Sequence, residues 1–479
     1  MSLGSEEVRV RRLLVASVLM ASAVRADPVT PEASVWTSGK LVEAANLVRP
    51  AFSTRLAVVP DLERQRLAEP AAPGLKADND IELGTKTEVT PVADAHFRVH
   101  MAQDAYPNWF ILRVTNVPPG GKIVRFDLDN GNVQKLSTAN PVYTPLRDLA
   151  DPETYMPADG TDRRTAKASG GAVYPTAAGL AWKFIPDVWR SGTGDLTFVH
   201  RFDRDTIVAL RVPYGLGYHA ALVKSFDGLP TVTVHAVGDQ ANVIEVGSAD
   251  EAKRKSNPCV VVYTREDGCQ QDASWLIEGA AQFLIGDTPD AVAVRDKCTF
   301  LLIPIISPES AKNSTWANDA MQFDSGGQIN RGLTSAYRTF FTGLSGEGRK
   351  IAAVFDLFTP ESAEFRTMSF DRVNGNTGDD AAFYSKLKAA CDNAGIYTCV
   401  PPVGTKTVTF SYRLVGELHR TFGAQQFSAF VNSQDRERHL SLDELRQFGG
   451  LFAEVAADYF ATPPAAVEAA HAPNDGHHP

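Results

Sequence analysis

An antiparallel β-sandwich followed by an α/β domain on a mixed, largely parallel sheet is the fold class this sequence predicts, and three observations carry it. Residues 79 to about 235 read as short strands of alternating polarity, broken by Gly, Pro, Asn and Asp; that is the pattern of antiparallel strands with one solvated face. Beyond about residue 240 the rhythm becomes strand, helix, strand, with continuous apolar runs that suit strands covered on both faces. At 479 residues the chain is also longer than one core organises, so two domains are expected.

Taken in order, residues 1–26 look like a secretory signal. Arg9, Arg11 and Arg12 precede an uncharged stretch from Leu13 to Val24, and small residues before Asp27 make a cleavage-site pattern. The acidic pair Glu6-Glu7 ahead of the arginines departs from that pattern. Residues 27–78 form a polar, Ala- and Pro-rich extension with a helix near 40–48. The sandwich is expected over 79–238, with strands such as Trp109 to Val114, Lys122 to Phe126 and Thr231 to His235. The α/β domain follows over 239–462. Its buried strands are Cys259 to Tyr263, Phe300 to Ile306 and Ile351 to Phe355, and a helix spans Ser274 to Ile285, with Trp275, Ile277, Ala281 and Leu284 at helical spacing. Ser441 and Glu444 form a capping box that opens a last helix running to about Phe460. The tail, 463–479, has a composition that predicts disorder.

Composition narrows the function. A net charge of −10 and the lack of a strong basic cluster exclude a nucleic-acid partner, because phosphate binding needs a basic surface. No stretch reaches the length of a membrane span. Five cysteines without a CxxC pair hold no zinc knuckle; Cys259 and Cys298 each open a predicted buried strand and would be neighbours if those strands are adjacent, and buried free thiols are preferred to disulfides.

The run Ala273-Ser274-Trp275-Leu276-Ile277-Glu278-Gly279 resembles the helix after the zinc-binding loop of the zinc metallocarboxypeptidases (carboxypeptidase A-like superfamily), in particular their cytosolic-carboxypeptidase-like branch. Members of that branch place a β-sandwich before the peptidase domain. Tyr106 to Phe110, Arg211 to Tyr214, Pro304 to Ser310, Gln328 to Arg331 and Phe355 to Leu357 recur in the family's order, so the resemblance covers roughly residues 90–425. It implies a carboxypeptidase-type sheet. It also implies a zinc ion held by His-x-x-Glu and a second His, a glutamate base, and an Asn-Arg pair with further arginines for the substrate's terminal carboxylate.

The family positions are degenerate here. His-x-x-Glu falls on Asp267 to Gln270, the second His on Phe358, and the base on Val415, with Glu417 two residues on as a substitute. A Gln amide is a poor zinc ligand and a phenyl ring is none. Between residues 240 and 465 the only histidines are His419 and His439, neither in a ligand motif. On the carboxylate side Arg265, Asn330 and Arg331 are retained, while a further arginine position falls near Trp316-Ala317. The implied reading is a catalytically inactive metallocarboxypeptidase without zinc or other cofactor, exported to a periplasmic or external compartment. It would bind a protein or peptide partner or serve as a scaffold. Asp267, Gln270 and Phe358 should meet at strand ends. Two alternatives stand beside it: an active zinc carboxypeptidase with non-standard ligands, and a structural subunit of a larger assembly.

Overall fold

The computed structural model describes residues 61–84, 87–101, 109–129, 141–155, 182–186, 188–190, 196–238, 241–313, 331–359, 368–373, 380–394, 399–400, 407–408, 413–433 and 440–461. The predicted signal segment, the helix near 40–48, Trp316-Ala317 and the tail 463–479 lie outside the described residues.

Two five-stranded sheets make the first half. One has the order β1 (Lys76–Asp78), β4 (Ile111–Thr115), β10 (Thr206–Ala209), β6 (Val142–Pro145), β7 (Lys183–Phe184) and is antiparallel throughout. The other has the order β2 (Thr87–Ala93), β3 (His96–Met101), β5 (Lys122–Asp129), β9 (Leu196–Phe202), β8 (Val188–Arg190). Here β3 and β5 are parallel, an exception in a sandwich expected to be mainly antiparallel. Topology gives the reason: between them the chain contributes β4 to the first sheet, and such a crossover returns it in the same direction. Facing aromatics join the sheets, with ring centroids 6.2 Å apart for Phe110 and Phe198 and 6.0 Å for Tyr143 and Phe202.

Residues 61–78, expected in the extension, already pack with these sheets. Helix α1 (residues 61–68) and β1 belong to this half. Arg66 donates to the Asp94 carbonyl at 2.6 Å, Lys122 to that of Pro70 at 2.6 Å, and the Glu69 carboxylate accepts from the Ile123 amide at 3.0 Å. A helix unforeseen by the strand reading, α2 (Leu216–Ser225), closes the first half, its N-terminal amides of Leu216 and Gly217 received by the Glu82 carboxylate at 2.5 and 3.0 Å.

The second half is built on a nine-stranded mixed sheet. It begins earlier than the boundary at 238/239: β11 (Val232–Val237) and β12 (Ala241–Val246) form a hairpin of this sheet. Thr231 to His235 therefore belongs here and not to the preceding sheets; its alternating pattern reflects an antiparallel edge pair, which both architectures use. The next strands in order are β14 (Thr299–Ile303), β13 (Cys259–Thr264), β15 (Ile351–Phe358) and β19 (Gln425–Val431), all parallel to one another. The three runs read as buried strands are thus neighbours. Beyond β19 come β16 (Met368–Val373), antiparallel to it, and the short β17 (Cys399–Val400) and β18 (Thr407–Val408).

Alternate residues of the parallel strands enter two different cores, which is why the runs Val260 to Tyr263, Phe300 to Ile303 and Ile351 to Phe355 are apolar. Val260, Val262, Phe300, Leu302 and Phe355 pack under α4 (Gln271–Leu284), α8 (Asp380–Ala394) and α10 (Leu442–Phe460). Val261, Tyr263, Leu301 and Val354 pack under α7 (Arg331–Gly346) and α9 (Leu414–Phe422). The remaining helices are α3 (Glu251–Ser256), α5 (Pro289–Lys297) and α6 (Pro308–Asn313). Ser441 and Glu444 form the expected capping box of α10, with the Glu444 amide donating to Ser441 Oγ at 3.2 Å. Helices α4 and α10 meet at glycines: a Cβ on Gly279 would stand 2.2 Å from the Arg446 carbonyl oxygen, and one on Gly449 2.0 Å from that of Leu276. Cys259, Cys269, Cys298 and Cys391 are buried free thiols.

Two segments that carried the family resemblance join the halves. Trp275 of α4 donates its indole N–H to the Val212 carbonyl at 3.1 Å and packs edge-on against Tyr214, centroids 4.8 Å apart. Beside it the Arg211 guanidinium pairs with the Asp272 carboxylate, and both are almost wholly buried. Arg211 also donates to Asn432 Oδ1 at 3.0 Å, and Asp272 accepts from the Ser433 amide at 2.8 Å. This polar knot ties the loop before α2, the start of α4 and the end of β19 together. A charge at either end alone would be costly to bury; paired, both are tolerated.

Candidate functional site

At the C-terminal ends of β13, β15 and β19 the chain assembles a buried cluster of charges. The loop after β13 supplies Glu266, Asp267 and Gln270, all at most 3% exposed. The end of β15 supplies Asp356 and Phe358. Over them lies Arg413, in extended backbone conformation just before α9.

Arg413 contacts every charged member. Its guanidinium nitrogens lie 3.3 Å from Asp267 Oδ2, 3.5 Å from Asp356 Oδ2 and 3.5 Å from Glu266 Oε2. Its central carbon stands 4.4 Å from the centre of the Phe358 ring, a cation–π contact. Gln270 joins through Asp267, its amide donating to Asp267 Oδ2 at 2.8 Å. The segment holding Arg413 is pinned from below: the Leu414 amide donates to Glu266 Oε1 at 3.2 Å and the Val415 amide to Tyr263 Oη at 3.1 Å.

Three carboxylates against one guanidinium leave negative charge in excess, and the ionisation of the cluster reflects it. Burial pushes the Glu266 carboxyl up to about 7, against the opposing pull of Arg413. Burial likewise holds Asp356 well above the usual carboxylate range. Burial works against the charged form of Arg413, but Glu266, Asp356 and Asp267 outweigh it and the guanidinium is held more firmly protonated than in water.

The other sequence candidates are elsewhere. Arg265 was expected at the substrate carboxylate, yet it is fully buried, with φ +67°. Its guanidinium braces the loop, donating to the Gly268 carbonyl at 3.1 Å and the Tyr214 carbonyl at 2.6 Å. The loop is tightly packed there: a Cβ on Gly268 would fall 1.8 Å from the Ser310 carbonyl oxygen. Glu417, the substitute base, points away from the cluster. Two residues along a helix is a turn of about 200°, and Glu417 pairs with Arg338 of α7 at 2.8 Å and Arg420 at 2.9 Å. Val415 is buried in the core beneath α9. Asn330 lies outside the described residues, and Arg331 is the first residue of α7. His419 is satisfied by the Ala424 carbonyl at 2.9 Å; His439 lies outside the described residues.

Comparison with solved structures identifies the fold that carries this arrangement. A metallo-carboxypeptidase from Burkholderia cenocepacia superposes with a TM-score of 0.59 at 15% identity, covering 81% of this chain and 98% of that one. A Pseudomonas aeruginosa metallo-carboxypeptidase in complex with (2-guanidinoethylmercapto)succinic acid gives a TM-score of 0.60 at 14% identity, covering 80% and 98%. This is the metallocarboxypeptidase fold. In sequence, cytosolic carboxypeptidase 2 of Danio rerio is 35% identical over 66 residues, a stretch that spans 14% of this chain and 9% of that protein. No protein-family model matches the chain.

Zinc, which the metallocarboxypeptidase fold implies, does not fit the residues at the strand ends. Phe358 offers no lone pair, and the Gln270 amide turns its N–H side to Asp267 while its Oε1 has no hydrogen-bond partner. Asp267 Oδ2 already receives Gln270 and Arg413. A dication brought to Asp267 would stand beside a fixed guanidinium, and like charges at that range repel strongly in a buried site. Among the described residues no group of three His, Cys, Asp or Glu is disposed to hold a metal ion.

Arg413 is the participant that motif reasoning missed. It stood inside the stretch Ser411 to Val415, which was matched only for its base position. The usable signal was Asp356, a carboxylate within an otherwise apolar strand that must find a cation or a proton.

Proposed function

We propose that this chain is a catalytically silent relative of the metallocarboxypeptidases that acts by holding a protein or peptide partner, as a binding or scaffold protein. One observation carries the reading: the positions that should ligate zinc and supply the base are Asp267, Gln270, Phe358 and Val415, and a guanidinium lies against the first and third of them. Without a metal-bound water or a base there is no group to attack a peptide bond. Acidic net charge supports a partner other than nucleic acid, and no helix of the described residues is long and apolar enough to cross a membrane. We place the protein in an exported compartment on its Arg-flanked apolar N-terminal segment.

The test uses the full chain purified without chelator. Metal analysis should find no stoichiometric zinc, and a panel of peptides should lose no C-terminal residue, while retained protein or peptide partners are identified by mass spectrometry. Stoichiometric zinc with chelator-sensitive release of C-terminal residues would refute the reading.

A further inference from the structure

We infer that the Arg413 guanidinium is a built-in replacement for the metal ion of this fold, a fixed internal cation that closes the site to zinc. The inference rests on the zinc-free reading above and adds the agent responsible.

Position supports it first. Arg413 reaches Asp267 directly at 3.3 Å, Phe358 through its ring at 4.4 Å, and Gln270 through the shared Asp267 oxygen. Two of the three family ligand positions therefore touch one cation, and the third holds the carboxylate that it touches. Its contacts extend to Asp356 and Glu266, so it bridges the ends of β13 and β15, the two strands from which those positions come.

The chemistry of the substituted positions supports it second. A phenyl ring is useless to zinc but offers a guanidinium its negative face. An amide in place of a carboxylate is a weak metal ligand, yet its N–H can donate to Asp267 and hold that carboxylate in place. The same changes that dismantle a metal site thus furnish a guanidinium site. Arginine also suits the post because it stays protonated when buried. The cation is not free to leave, since Glu266 and Tyr263 fix the backbone that carries it through the Leu414 and Val415 amides.

The test separates the arginine from the missing ligands. Zinc binding is measured by equilibrium dialysis on the full chain, on Gln270→Glu/Phe358→His with Arg413 kept, and on the same pair with Arg413→Met added. The expected result is no stoichiometric zinc in the first two. In the third, binding should be tighter by on the order of a hundredfold or more, as follows from removing a like charge at about 4 Å. Equal zinc affinity with and without Arg413 overturns the inference but leaves the silent-relative reading standing; zinc in the unaltered chain overturns both. If the triple variant fails to fold, the single variant Arg413→Ala is melted with guanidinium at roughly 10 mM, far below its denaturing range, and with sodium chloride at matched ionic strength. Recovery of stability by guanidinium beyond that by sodium chloride supports the inference, and an equal response to both salts defeats it.

Discussion

Replacing Arg413 by methionine should destabilise the protein in a pH-dependent way, and the size follows from what the side chain neutralises. The variant keeps an unbranched stem of uncharged atoms but leaves Glu266, Asp267 and Asp356 buried without their cation. Removing one partner of a buried ionic cluster costs about 3–5 kcal/mol. The separations of 3.3–3.5 Å are long for strong ion pairs, and Glu266 and Asp356 shed charge by taking up protons, so the lower end, about 3 kcal/mol near neutral pH, is the expectation. The sign with pH is determined. Carboxyls whose folded-state pKa is raised contribute stability that is fully present below the unfolded-state value, about 4, and is lost as pH rises through the folded value. Without Arg413 those folded values climb further, so the deficit against the parent should be small at about pH 5 and largest at about pH 8. Urea denaturation followed by circular dichroism at several pH values measures it, with Arg413→Lys as a control that keeps the charge and loses the planar contact with Phe358. A deficit below about 1 kcal/mol at about pH 8, or one that does not vary with pH, would refute the account of the cluster as a charge-compensated core.

Three further outcomes are expected. Gly279→Ala should cost about 2 kcal/mol or more and lower the melting temperature, because the added methyl meets the Arg446 backbone at 2.2 Å; an unchanged melting temperature would mean that α4 and α10 are not packed this closely. His219 is buried against Tyr214 and Arg265, and burial lowers its pKa from 6.5 to about 4. The unfolded chain takes its proton first, so stability present above about 6.5 falls by about 1.4 kcal/mol per pH unit down to about 4; His219→Phe should flatten that slope, and an identical acid profile would exclude the histidine as its source. Protein taken from its native source should begin near Asp27 if the N-terminal segment is an export signal, and Edman sequencing that reads from Met1 or Ser2 would exclude this.

Legibility along this chain follows the range of the interactions involved. The parallel strands could be read because burial on two faces is written locally, as the unbroken apolar runs of Cys259 to Tyr263 and Thr299 to Ile303. The capping box of α10 could be read for the same reason, since Ser441 and Glu444 satisfy each other within one turn. Strand β11 reads as part of the sandwich because alternation reports an antiparallel strand and not the sheet that receives it. Helix α2 was missed because its N-terminus is satisfied by Glu82, more than a hundred residues earlier, so no local cap marks it.

The site shows the same limit more sharply. Loss of ligands could be read one position at a time, because each is a statement about a single side chain: Phe358 cannot coordinate, wherever it lies. The cation that faces these positions could not be read that way, since Arg413 acquires its meaning only when the ends of β13 and β15 and the start of α9 converge. Arg265 and Glu417 fail as candidates for the converse reason. Each has suitable chemistry and spacing, but Arg265 is turned inward to the Gly268 and Tyr214 carbonyls, and Glu417 pairs with Arg338 of α7 away from the cluster. A residue's chemistry is local, whereas the direction in which it is presented belongs to the fold. A buried acid such as Asp356 bridges the two levels: its presence in an apolar strand announces that a counter-charge must come from elsewhere in the chain, and a search for that counter-charge leads to Arg413.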